Sequence, residues 1–185
     1  MIAYFKNLSN LLNEIETTGI KGKGISISGA LKKSVDIIKK SAAKSNKVIF
    51  IGNGGSASIA SHMAVDLWKN SRIKAVCFND SAQLTCLSND FGYRHVFEKP
   101  IEMFAESGDV LIAISSSGKS ENILRGVKAA RRKRCRIITM SGFKKDNTLR
   151  KTGDLNFYVP SDSYGFVETT HSAICHCILD YITCE

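Results

Sequence analysis

The stretch KVIFIGNGGSASIASHMAVDLWKN, residues 47–70, decides how the rest of the chain is read. Val48 to Ile51 is a short apolar run with lysine before it and glycine after it, the mark of a buried strand. Gly52-Asn53-Gly54-Gly55 then breaks the chain, and a helical pattern starts at Ser56, Ala57 and Ser58. Glycines allow a tight turn and a close backbone approach to a ligand. The helix N-terminus behind them offers unpaired N–H groups and a partial positive charge. Such a strand, turn and helix can hold an anion, most often a phosphate. His62 and Asp66, at i and i+4, leave one face of that helix. An anion cradle thus leads into a helix that carries an imidazole and a carboxylate.

Two other readings fit the stretch taken alone. Gly52 to Ala57 matches G-x-G-x-x-A, the loose form of the dinucleotide fingerprint, with Asp80 available as the acidic residue after the next strand. A plain connecting turn with a structural histidine at position 62 is the other. The remaining chain weighs against both.

Outward from this stretch, further strands are expected at 74–78, 109–114, 136–140 and 155–159. Helical patterns lie between them, at 79–90, 95–104 with Pro100 kinking or dividing it, and 121–132, and a long last helix runs from Tyr164 to Ile182. Strands alternating with helices make an α/β fold with a parallel sheet between two helical layers. In such sheets ligands bind beyond the carboxyl ends of the strands, where both special loops of this chain lie. Ahead of the first strand, Phe5, Leu8, Leu11, Leu12 and Ile15 mark one amphipathic helix, and Leu31, Val35, Ile38 and Ala42 mark a second with Ser28 as its cap. Residues 19–29 between them read as a loop. The apolar faces of these two helices point to packing against another subunit.

The second loop is Ser115-Ser116-Ser117-Gly118-Lys119-Ser120, which follows a strand and opens a helix. Its four hydroxyls exceed what a helix cap needs and suit phosphate oxygens. Gly118-Lys119-Ser120 also matches the end of a P-loop, but that motif requires glycine where this chain has Ala113, so nucleotide hydrolysis is rejected. On the last helix, Glu168 and His176 are separated by roughly 80° and can look into one cleft, where they could meet His62 and Asp66. His171 shares its spacing with Val167, Ile174 and Ile178, which puts it in the core or at an interface.

Composition bounds the rest. The chain has 185 residues, 43% apolar and 23% charged, enough for one domain with its own core. No apolar run approaches the ~18 residues of a membrane span, and the mixed-charge start does not read as a secretory signal. The six cysteines include no C-x-x-C and read as reduced thiols of a cytoplasmic protein. The net charge of +9 invites a nucleic-acid reading. However, the one dense basic cluster, KAARRKRCR at 128–136, ends a helix and has no aromatic residues among it. An acidic ligand or a solvated surface accounts for the charge better.

Four motifs in order resemble the SIS (sugar isomerase) family and, within it, the phosphoheptose isomerases. The family's GNGGSAS and helix with H-F-A-x-E-L correspond to GNGGSASIASHMAVDL. Its N-D-F-G-F/Y corresponds to Asn89-Asp90-Phe91-Gly92-Tyr93, and its phosphate loop A/G-I-S-T-S-G-N-S to Ala113 through Ser120. Its last helix, Q-E-x-H-x-x-x-x-H, corresponds to Glu168-Thr169-Thr170-His171 through His176. The resemblance implies a single SIS domain over 1–185, with an oligomerising helical segment at 1–46 and an α/β core at 47–185. It implies a three-layer α-β-α sandwich on a five-stranded parallel sheet, related to flavodoxin and Rossmann folds. It also implies a homotetramer with sites between subunits. The reaction implied is aldose–ketose isomerisation of sedoheptulose 7-phosphate to D-glycero-D-manno-heptose 7-phosphate. Asp66 would take a proton beside the carbonyl and His176 would return one. Ser115, Ser116, Ser117 and Ser120 would hold the phosphate. Asn53, Gly54, Gly55, Ser56, Asn89, Asp90 and Glu168 would bind the rest of the substrate. A zinc ion would be held by His62, Asp66, Glu168 and His176. Two departures stand out: Asp66 replaces the family's glutamate, and Glu168 replaces its glutamine. Isomerisation of another sugar phosphate, or a non-catalytic SIS protein that binds sugar phosphates or a replication initiator, are the alternatives.

Overall fold

Alternate residues of the apolar runs face two separate cores. Val48, Phe50, Ile112, Ile114, Ile138 and Phe157 pack on one side of the sheet. Ile49, Ile51, Leu111, Ala113 and Ile137 pack on the other. This two-residue period is what a strand buried on both faces produces. The computed structural model describes residues 2–184. Its helices are α1 (Ile2–Asn13), α2 (Ile27–Ala42), α3 (Gly55–Ser71), α4 (Ser81–Phe91), α5 (Glu98–Phe104), α6 (Glu121–Arg132) and α7 (Tyr164–Thr183). Its strands are β1 (Glu16–Gly19), β2 (Gly24–Ile25), β3 (Val48–Gly52), β4 (Ala75–Cys77), β5 (Val110–Ser115), β6 (Arg136–Ser141) and β7 (Leu155–Tyr158).

The sheet order is β2-β1-β7-β6-β5-β3-β4. The five strands from β7 to β4 are parallel, as expected. Two more strands extend the expected sheet: β1 pairs antiparallel with β7, and β2 pairs with β1. They come from Glu16 to Ile25, most of which reads as loop because Glu16-Thr17-Thr18-Gly19 has no apolar run. The edge of β7 offers unpaired backbone groups, and β1 satisfies them.

Helices α2, α3 and α7 cover one face of the sheet through Val35, Ile38, Met63, Leu67, Ile174 and Ile178. Helices α5 and α6 cover the other through Ile101, Ile123, Val127 and Ala130. Helix α2 therefore buries its apolar stripe within its own chain, contrary to the expectation that it faces a neighbour. Its N-cap is Ser26, which accepts from the Gly29 N–H, rather than Ser28. Pro100 lies in the first turn of α5, where a missing N–H costs no intrahelical bond, so it starts the helix instead of dividing it.

Candidate active site

Gly52 of β3 is paired with Ile114 of β5, so the glycine loop and the serine loop begin side by side. Gly52 admits no side chain, because the backbone of Ser56 in the first turn of α3 fills the space. Gly54 caps α3 with φ 54° and ψ −125°, a backbone conformation that glycine adopts without strain. Asn53 turns back to α6 and makes a reciprocal amide pair with Asn122. Asn53 Nδ2 donates to Asn122 Oδ1 at 3.0 Å, and Asn122 Nδ2 donates to Asn53 Oδ1 at 2.8 Å. Tyr93 OH donates to the same Asn53 oxygen at 3.1 Å.

The serine loop is tied down from within. Ser115 Oγ accepts from the Gly118 N–H at 3.2 Å and lies 3.4 Å from Ser120 Oγ. Ser117 Oγ accepts from the Lys119 N–H at 3.3 Å. Gly118 has φ 61°, and the Asn147 amide packs where its side chain would be. Ser120 caps α6 without a side-chain bond, so the hydroxyl is free of that duty. Ser116 Oγ is buried and has no hydrogen-bond partner among the described residues. Leaving a buried hydroxyl unpaired costs about 1–3 kcal/mol. Here the unpaired group sits in a loop already suited to an anion.

Helices α3 and α7 lie side by side. His62 Nε2 is 3.1 Å from Asp66 Oδ2. The His62 ring stands edge-on to His176, with centroids 5.3 Å apart and planes at 77°. Asp66 is the sheltered member, with 16% of its side chain exposed against 59% for His62. Glu168 lies elsewhere. Its carboxylate packs onto Gly55, the first residue of α3, where any side chain would displace it.

Residues 3–142 match the SIS domain family. The phosphoheptose isomerase of Helicobacter hepaticus is 32% identical over 169 residues, covering 88% of this chain and 86% of that protein. That of Photorhabdus laumondii is 36% identical over 162 residues, covering 84% and 83%. This chain belongs to the SIS domain family. The structure of phosphoheptose isomerase GmhA from Neisseria gonorrhoeae aligns with a TM-score of 0.86 at 25% identity, over 100% of this chain and 97% of that one.

Within this SIS domain, His62, Asp66 and His176 come together, as expected from their helices. Asn53 and the four serines line the paired strand ends. Asn89 and Asp90 sit exposed in the last turn of α4 and bond to each other at 2.9 Å. Tyr93, not either of them, connects that motif to the glycine loop. Ser56 is buried behind the loop. His171 is buried as expected, and its Nε2 donates to the Ser141 carbonyl at 3.2 Å. Burial pushes its pKa down to about 4, against the smaller upward effect of that hydrogen bond.

The donor set expected for zinc does not close. Glu168 is held at the start of α3, while His62 lies about two turns and Asp66 about three turns further on. Among the described residues no group of three or more His, Cys, Asp or Glu side chains is arranged to hold a metal ion. The residues as placed therefore do not fit the expected four-ligand site.

Sequence reading missed Asn122 and Asn147. Asn122 follows the loop by two residues and is 3% exposed. An asparagine just inside a helix, where it is a poor helix former, was the available signal. Asn147 holds the Gly142 and Lys144 carbonyls at 3.1 and 2.8 Å and so fixes the wall behind Gly118.

Proposed function

We propose that this chain is a phosphoheptose isomerase that interconverts sedoheptulose 7-phosphate and D-glycero-D-manno-heptose 7-phosphate. The observation that carries the reading is the meeting of Asp66, His62 and His176 on two packed helices of a fold whose neighbouring loop holds an unpaired buried serine. The relatives named phosphoheptose isomerase support the same substrate.

In the proposed mechanism the phosphate seats on Ser115, Ser116, Ser117 and Ser120. Asp66 takes a proton from C1 of the ketose, and the electron pair moves into a C1–C2 enediolate with the negative charge on O2. His62, bonded to Asp66, orients the carboxylate. His176 delivers a proton to C2, the hydroxyl proton of O1 passes to O2, and the carbonyl closes at C1. Positioned acids and bases of this kind contribute about 10²–10⁴-fold each. Asp66 is one methylene shorter than the family's glutamate, so the reacting carbon must approach α3 more closely. No step is routed through zinc.

The proposal extends to a homotetramer in the cytoplasm with sites between subunits. Exposed Ile2, Tyr4 and Phe5 on α1 and Val65 and Trp68 on α3 supply apolar surface for such contacts. Among the described residues no helix is long and apolar enough to cross a membrane. Turnover of sedoheptulose 7-phosphate tests the activity, and light scattering tests the assembly.

A further inference from the structure

The side chain of Asn53 is largely committed to the protein. An amide has two donor and two main acceptor positions. In Asn53, Oδ1 accepts twice, from Asn122 and Tyr93, and Nδ2 donates once, to Asn122. Asn122 is equally committed, because its Oδ1 also accepts from the Ile123 N–H at 2.9 Å. Asn53 belongs to the glycine loop. Asn122 opens α6 directly behind the serine loop. Tyr93 belongs to the turn after α4. Three distant segments thus meet on one amide pair, and two of them carry the proposed sugar and phosphate contacts.

We propose that Asn122 is a positioning residue for the isomerisation. Paired with Asn53 and braced by Tyr93, it locks the glycine loop to the serine loop, so that a phosphate seated on one fixes the sugar carbons against the other. The inference rests on the isomerase reading. A phosphate ester anchored at one end swings freely unless the two contact loops keep a fixed separation. A displacement near 1 Å at the reacting carbon costs about 100-fold in rate. Loss of the pair should therefore appear in kcat and leave phosphate capture by the serine loop intact.

The test compares Asn122→Ala, Asn53→Ala, the double variant and Tyr93→Phe. Asn122→Ala is expected to lose about 30–100-fold in kcat, with KM and the affinity for inorganic phosphate changed less than about threefold. The double variant should be no slower than the slower single variant, because both remove one shared interaction. Tyr93→Phe keeps the ring and two of the three bonds, and should lose less than about tenfold. Backbone hydrogen exchange supplies a readout that does not depend on turnover, and Asn122→Ala should speed exchange at residues 53–57 while β5 is unchanged. Unchanged kcat, losses that multiply in the double variant, or phosphate affinity lost together with kcat would each overturn the inference. If the wild type turns over no sedoheptulose 7-phosphate, the isomerase reading fails instead. Exchange at residues 53–57 then still judges the joint, and unchanged exchange overturns it.

Discussion

The carboxylate of Glu168 rests on the Cα of Gly55, at the N-terminal end of α3. A negative group is favoured there by the helix dipole. The protein's own carboxylate thus lies against the N-terminal end of this helix. That carboxylate disfavours a second anion there, in keeping with the proposal that the serine loop takes the phosphate. Glycine at position 55 is required for this contact. In an ordinary helix Gly→Ala gains about 0.5–1 kcal/mol. Gly55→Ala should show no such gain in Tm and should lower kcat/KM at least about tenfold by pushing Glu168 out of place. Glu168→Gln keeps the shape and should lose less. A Gly55→Ala protein that is more stable and fully active would contradict the assignment.

Ser116 Oγ is buried in the serine loop without a hydrogen-bond partner among the described residues. Hydrogen bonds to a charged partner are worth about 1.5–3 kcal/mol each, so Ser116→Ala with Ser120→Ala should weaken sedoheptulose 7-phosphate binding at least about 100-fold. Binding of unphosphorylated sedoheptulose should change little. Calorimetry with both ligands checks this, and equal loss for the two would remove the loop from the phosphate site.

His171 gives the fold a pH dependence. It is neutral when buried, with its pKa held near 4 instead of the ordinary 6.5. Below pH 6.5 the unfolded chain takes up a proton that the folded chain refuses until about pH 4. Stability is therefore full above pH 6.5 and falls as pH drops towards 4, by up to about 3 kcal/mol from this residue. Urea unfolding between pH 7.5 and 4.5 should show the decline. His171→Gln, which can still donate to Ser141, should flatten it. An identical slope in both proteins would show that other groups are responsible.

The placement of Glu168 on Gly55, away from His62 and Asp66, makes a further claim about metal. Treatment with a strong chelator should leave kcat within about twofold if Asp66 and His176 serve as side-chain base and acid, as proposed. A loss of more than about tenfold that zinc restores would mean that the four expected ligands converge in the working enzyme.

The parallel core was legible because its signals are local. Val48 to Ile51 and Val110 to Ile114 are apolar runs that stop at glycine or serine, and each loop is followed by helical spacing. The hairpin of β1 and β2 was not legible, since Glu16 to Gly19 becomes a strand only through pairing with β7. Helical angle placed His62, Asp66 and His176 on facing surfaces, and of its two settings for His171, core or interface, the structure shows the core. It did not foresee Glu168, whose carboxylate packs on Gly55 at the start of α3, a contact between residues far apart in sequence. The Asn53–Asn122 pair joins residues 69 apart in sequence and leaves no periodic trace.

The central claim is that Asp66 and His176 isomerise a seven-carbon sugar phosphate. Its most direct test is turnover of sedoheptulose 7-phosphate by the wild type, Asp66→Asn and His176→Ala, with folding of each checked by circular dichroism. The account predicts wild-type turnover, with kcat lowered at least about 10²-fold in each variant and KM little changed. A folded wild type without turnover, or variants as fast as the wild type, would contradict it.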